Sequence, residues 1–122
     1  MLKINNKIIS GSYTLEKFPV SSNYDIKYGF NQKKVYTEMI IDVDNMCYIH
    51  LLRTNNNDIL FSYKSPSPQK GSGIHRYYVL IYEQDRVIED GYVDERSNFN
   101  LNNFVKNYNL KLVSENMFTV EN

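Results

Sequence analysis

Tryptophan is absent, cysteine occurs once, histidine twice, and the 122 residues hold only three prolines and five glycines. The single cysteine, Cys47, excludes an internal disulfide framework and suits a reducing compartment, so a cytoplasmic setting is expected. Net charge is lacking too: fourteen Lys and Arg balance fourteen Asp and Glu. Without a whole-chain field, the electrostatic basis of nucleic-acid or anionic-membrane binding is missing, and any recognition of an anion must be local. No apolar run approaches the roughly 20 residues that span a bilayer, so no transmembrane segment is expected. The opening MLKINNKIIS is too polar for a signal-peptide core.

What is present fits one domain over residues 1–122, because two independent cores would both be marginal at this length. A hydrophobic share of 42% and a charged share of 23% exclude disorder, and eleven Tyr with six Phe favour strands over a helical bundle. The bias toward Asn, Lys, Ile and Tyr is of the kind that AT-rich coding sequences produce, as in protists or large DNA viruses.

Lys33 to Asp42, KKVYTEMIID, predicts a strand that delivers Asp42 to its tip. Cys47 to Arg53 and Asp58 to Tyr63 flank the turn-prone Thr54-Asn55-Asn56-Asn57 and read as a hairpin. Ser65 to Gly73, SPSPQKGSG, is an ordered loop, and His75 to Gln84, HRYYVLIYEQ, a central strand packed on both faces. Asn100 as N-cap, followed by Leu101, Phe104, Val105 and Tyr108 at helical spacing, marks one principal helix. Met117 to Val120 is expected to add a last short strand. Strands at short intervals with one late helix argue for an antiparallel β-sandwich, since parallel units would need a helix after each strand.

In an extended segment alternate residues share a face, so His75 and Tyr77 project together directly after the loop Lys70-Gly71-Ser72-Gly73. Imidazole, phenol and glycine-loop amides make a donor-rich cup suited to phosphate, sulfate or carboxylate oxygens. The run Gly71-Ser72-Gly73-Ile74-His75-Arg76-Tyr77 with Tyr82-Glu83-Gln84 resembles the second signature of the phosphatidylethanolamine-binding protein family. Asp42-Val43-Asp44-Asn45 is similar to its first, and Arg96-Ser97-Asn98-Phe99 with Phe104 and Tyr108 is similar to a third block.

The resemblance implies a β-sandwich with a pocket for a phosphate-type anion or phospholipid head group, in proteins that act mostly through partners, such as a kinase. It brings no settled catalytic activity, so no enzyme, cofactor or metal is expected. Carried over, Asp42, His75 and Tyr77 are pocket residues and Ser65 to Gln69, with Ser67 and Pro68, form the rim, beside Gly73. Asp42 would orient and charge a nearby imidazole or accept a ligand proton. Tyr48 falls where the family has a histidine, while His50 lies two residues later on the same face and reads as a packed strand histidine. Val43 replaces a proline, the following loop is cut to Asn45-Met46, and the family's C-terminal helix does not follow the tail. These departures predict a shallower site and leave a ligand-free interaction or structural protein as the alternative, monomeric or weakly dimeric. Asp44 reads as a turn cap or as a partner of Arg76 or Arg96. Cys47 and His50, three apart on a strand, face opposite sides and make no catalytic pair.

Overall fold

The computed structural model describes residues 1–122. In chain order its elements are β1 (Leu2–Ile4), β2 (Lys7–Ile9), β3 (Gly11–Thr14), a 3-10 turn (Leu15–Lys17), β4 (Tyr24–Ile26), β5 (Val35–Asp42), β6 (Tyr48–Thr54), β7 (Asp58–Phe61), β8 (Ile74–Gln84), α1 (Leu101–Asn107) and β9 (Lys111–Glu121). The strands form a six-stranded sheet of order β3-β9-β8-β5-β6-β7 and a three-stranded sheet of order β2-β1-β4.

The large sheet is buried on both faces because its central strands carry apolar residues at both parities. On one face Ile40, Leu51, Tyr77, Val79, Ile81 and Phe118 pack against Leu2, Ile4 and Ile26 of the small sheet. On the other, Met39, Ile41, Ile49, Leu52 and Leu80 pack against Ile88, Phe99 and Phe104 from the segment after β8 and from α1. Parity along β8 separates the two sets: odd positions from 77 to 81 go one way and even positions the other. Asn100 caps α1 as expected, its side chain accepting from the Asn103 N–H at 3.1 Å. Phe104 is the buried anchor of the helix.

The expected β-sandwich with one helix is therefore observed, with three differences. The N-terminal 30 residues contribute four strands that were not anticipated, each of only three or four residues. The C-terminal strand covers eleven residues, because it pairs along nearly the whole of β8. One pairing is parallel: β3 adds beside the end of β9, Gly11 opposite Phe118. The remaining pairings are antiparallel.

The β5–β6 register matters most for the site. Ile40 opposes Leu51 and Ile41 opposes Ile49, so His50 is the extra residue of a β-bulge. A bulge re-aims the side chain it inserts. His50 consequently lies over Tyr77, with ring centroids 5.2 Å apart and planes at 76°.

Candidate functional site

Three strand ends meet at one corner of the large sheet. Asp42, the last residue of β5, is opposite Tyr77 of β8 on one side and Tyr48 of β6 on the other. Directly opposed residues share a face, so a carboxylate sits between two phenols. The segment from Lys64 to Pro68 crosses this corner, held by two bonds to the bulge. The Lys64 N–H donates to the His50 carbonyl at 2.8 Å, and His50 Nδ1 donates to the Lys64 carbonyl at 2.7 Å.

Beneath the strap is a cavity of about 110 Å³, roughly the room of three or four waters. Asp42, Tyr48, His50 and Tyr77 line it from the sheet, and Asn45, Lys64, Ser67 and Pro68 from the loops. Lys64 Nζ donates to the Tyr48 hydroxyl at 2.9 Å, which places an ammonium at the wall. Larger clefts exist elsewhere, including one of 680 Å³ beside Arg86 and the end of α1. That cleft is lined by Arg86, Asn107, Tyr108 and Asn109 together with the carboxylates of Glu89 and Asp90, and none of the site residues singled out from sequence lies in it.

Three polar groups define the chemistry of the small cavity. The Tyr77 hydroxyl is buried and makes no hydrogen bond within the chain. Burial first, and the facing Asp42 carboxylate second, push its pKa well above the usual phenol value, so it stays a proton donor. The carboxylate is close enough to exert that field yet outside good hydrogen-bonding geometry. His50 is also perturbed: burial pushes its pKa down, opposed by its bond to the Lys64 carbonyl and by Asp42. At neutral pH it is therefore uncharged. With Nδ1–H spent on Lys64, Nε2 carries a lone pair and no intrachain partner. Asp42 accepts from His75 Nδ1 at 2.7 Å on Oδ2 and from the Asp44 N–H at 2.9 Å on Oδ1.

The structure thus brings together five of the eight residues singled out from sequence, Asp42, Tyr48, Ser67, Pro68 and Tyr77. His75, Ser65 and Gly73 are not on the cavity wall. His75 stands behind it, 6% exposed, with Nε2 on the Ser72 hydroxyl at 2.9 Å and Nδ1 on Asp42. Both ring nitrogens serve the fold, so His75 cannot supply the ligand donor expected of it; it fixes Asp42 instead. The glycine loop is likewise spent internally, the Gly71 N–H donating to the Asn122 carbonyl at 3.3 Å. Gly71 and Gly73 answer to backbone geometry, with φ of +79° and +90°.

Sequence reasoning passed over His50, Lys64 and Asn45. A spacing of two from Tyr48 was the visible signal for His50, because alternate residues of β6 share a face, and the base next to Ser65 was the signal for Lys64. Asp44 behaves as expected: Arg76 holds it bidentately at 2.9 and 2.8 Å. That contact lowers the Asp44 pKa to about 2.

Comparison with known proteins agrees with this architecture. The family profile described as phosphatidylethanolamine-binding protein matches residues 21–120. The chain belongs to this family. Among curated relatives, the carboxypeptidase Y inhibitor of Saccharomyces cerevisiae is 32% identical over 78 residues, 56% of this chain. That match spans only 36% of the inhibitor's length. Family members are also similar in fold. A carboxypeptidase Y inhibitor solved in complex with its cognate proteinase superposes with a TM-score of 0.73 at 20% identity, over 92% of this chain and 76% of that one. The phosphatidylethanolamine-binding protein from Plasmodium vivax gives 0.65 at 17% identity, over 92% and 77%. The corresponding Plasmodium falciparum protein gives the same values, 0.65 and 17%, over 92% and 77%. No helix is long and apolar enough to cross a membrane.

Proposed function

We propose that this chain is a binding module for a small phosphate-type anion, free or as a phospholipid head group, and that ligand occupancy tunes contact with a protein partner. The observation that carries the reading is the buried Tyr77 hydroxyl, without an intrachain partner in a cavity that also holds the Lys64 ammonium. A buried hydroxyl left unpaired costs about 1–3 kcal/mol, a cost a ligand oxygen relieves. Tyr77, Tyr48, Lys64 and Ser67 supply donors, whereas His50 Nε2 and Asp42 supply acceptors. The ligand best matched to this mixture accepts several hydrogen bonds and brings a donor of its own, the proton of monoprotonated phosphate or of a phosphomonoester monoanion, or the ammonium of an ethanolamine phosphodiester head group. Binding rather than turnover is the role assigned here, in a cytoplasmic, reducing setting suited to the single Cys47, with the protein monomeric or weakly dimeric.

Calorimetric titration with inorganic phosphate, phosphorylethanolamine and dimethyl phosphate at pH 6.5 tests this. Phosphate and phosphorylethanolamine are expected to bind in the micromolar to millimolar range and dimethyl phosphate, which has no proton to give, more weakly. Absence of heat with all three at tens of millimolar would refute the reading. Vesicles containing phosphatidylethanolamine then separate a lipid source from a free one.

A second reading rests on the relatives named carboxypeptidase Y inhibitor, one of them solved with its cognate proteinase. In this reading the chain keeps the fold to bind a protein such as a carboxypeptidase, whatever the cavity holds. Inhibition of carboxypeptidase Y that persists when the cavity is disabled by Tyr77→Phe would favour it, and the absence of inhibition at micromolar protein would remove it.

A further inference from the structure

Two serines in the strap precede prolines, Ser65-Pro66 and Ser67-Pro68, and only the second is followed by a base three positions after the serine, Lys70. A proline after the acceptor has no N–H to satisfy and a fixed φ, so a protein kinase groove can demand it; a base further on pairs with acidic groove residues. Ser67 and Lys70 are exposed, whereas Ser65 is half-buried. Ser67 lines the cavity together with Lys64, and its hydroxyl makes no hydrogen bond within the chain. No strand ladder holds residues 62–73, and Pro68 is tied down through its carbonyl by the Asn122 side chain at 3.0 Å. Local opening of this strap, which a kinase needs because Pro66 and Pro68 are seated against the body, breaks the contacts of Lys64 with His50 and Tyr48 and of Asn122 with Pro68 and Gly71, but no strand ladder.

We infer that Ser67 is a phosphorylation site for a proline-directed, base-requiring protein kinase, and that its phosphate closes the anion cavity from within. The second half rests on the anion-binding reading above. In the transfer, the Ser67 oxygen attacks the γ-phosphorus of ATP, a P–O bond to serine forms, the bond to the β-phosphate breaks, and the hydroxyl proton leaves to the kinase base with ADP as product. The phosphoserine carries about −1.5 to −2 charge and three acceptor oxygens at neutral pH. Tethered beside Lys64, Tyr48 and the His50 ring, it competes with a free anion at an effective concentration of order millimolar or above. A ligand with a Kd of about 1 mM then loses about twofold in apparent affinity at an effective concentration of about 1 mM and about tenfold at about 10 mM.

The experiment uses the full chain, ATP and a purified proline-directed kinase, with a synthetic peptide of residues 60–75 as positive control. Mass spectrometry is expected to place the phosphate on Ser67. Lys70→Ala, outside the cavity, should slow modification and leave binding of inorganic phosphate unchanged. Modification of the peptide but not of the chain, or transfer to Ser65, overturns the site assignment. Occupancy is read independently of any added ligand by ³¹P NMR. A phosphoserine held by the cavity should titrate above its ordinary value of about 6, because the facing Asp42 carboxylate favours the protonated phosphomonoester, and return toward it in Asp42→Asn. An ordinary titration in both proteins overturns the closure. Titration with inorganic phosphate completes the test. If the unmodified chain binds and the phosphorylated chain binds at least twofold more weakly, the inference stands. Equal binding by both defeats the closure alone, and no binding by either, with a perturbed ³¹P titration, defeats the free-ligand reading while leaving the closure intact.

Discussion

Tyr77→Phe separates a residue kept for the fold from one kept for a ligand. The ring is fully buried, stacked on Phe118 at 5.2 Å and 11°, and phenylalanine preserves that packing. The hydroxyl makes no intrachain hydrogen bond, so nothing in the fold is lost with it. Removing a buried, unpaired hydroxyl should leave stability within about 0.5 kcal/mol or raise it by about 1 kcal/mol, given a cost of roughly 1–3 kcal/mol for leaving such a group unsatisfied. At this chain length a gain of 1 kcal/mol appears as a rise of about 3–5 °C in Tm. Binding should move the other way: a hydrogen bond to a charged ligand oxygen contributes about 1.5–3 kcal/mol, so affinity for inorganic phosphate should fall roughly 10- to 100-fold. Differential scanning fluorimetry and calorimetry on the same preparations check both signs. Loss of more than about 1 kcal/mol of stability, or unchanged phosphate affinity, would refute the reasoning.

Other consequences follow from groups already placed. Burial lowers the His50 pKa, so the unfolded chain takes up a proton near pH 6.5 that the folded chain resists; stability should be full above that value and fall as pH drops below it, a slope that His50→Asn should flatten in thermal melts at pH 5.5 and 7.5. Glu38 is 4% exposed at its side chain and is held by Arg53 and by the Tyr28 hydroxyl at 2.9 Å. Arg53→Leu strands that carboxylate and should cost about 3–5 kcal/mol in urea unfolding, whereas a change under 1 kcal/mol would mean that Tyr28 alone suffices. Phe104→Ala should cost about 3–5 kcal/mol, because the ring anchors α1 on the large sheet between Phe99 and Tyr108, with centroids at 5.5 and 4.8 Å. Gly73→Ala meets open space at Cβ but φ of +90°, so it should cost about 1 kcal/mol from backbone strain alone and leave phosphate affinity unchanged.

The amino-acid sequence by itself determined the parts of this protein that depend on near neighbours. Dense runs of β-branched and aromatic residues marked β5 and β8, the asparagine turn marked the β6–β7 hairpin, and Asn100 with Leu101, Phe104 and Val105 marked α1, because strand propensity, turn and cap chemistry act over a few residues. The motif after the glycine loop carried the family, and the end of β5 carried Asp42 to the corner where the cavity forms. The N-terminal strands escaped because each is too short to show a period, although Asn5-Asn6 between Ile4 and Lys7 is itself a hairpin signal, both residues having positive φ. Everything that rests on pairing across long loops was left to the tertiary structure. The parallel join of β3 to β9 links residues over a hundred positions apart, and no local pattern encodes such a partner. His50 is pinned at the cavity by its paired bonds to Lys64 of the strap, and His75 leaves it because Asp42 and Ser72 take both its nitrogens. Residue type and spacing say which groups are available for chemistry; which of them the fold consumes, and which it leaves free, depends on packing and hydrogen bonds between segments that only the folded chain brings together.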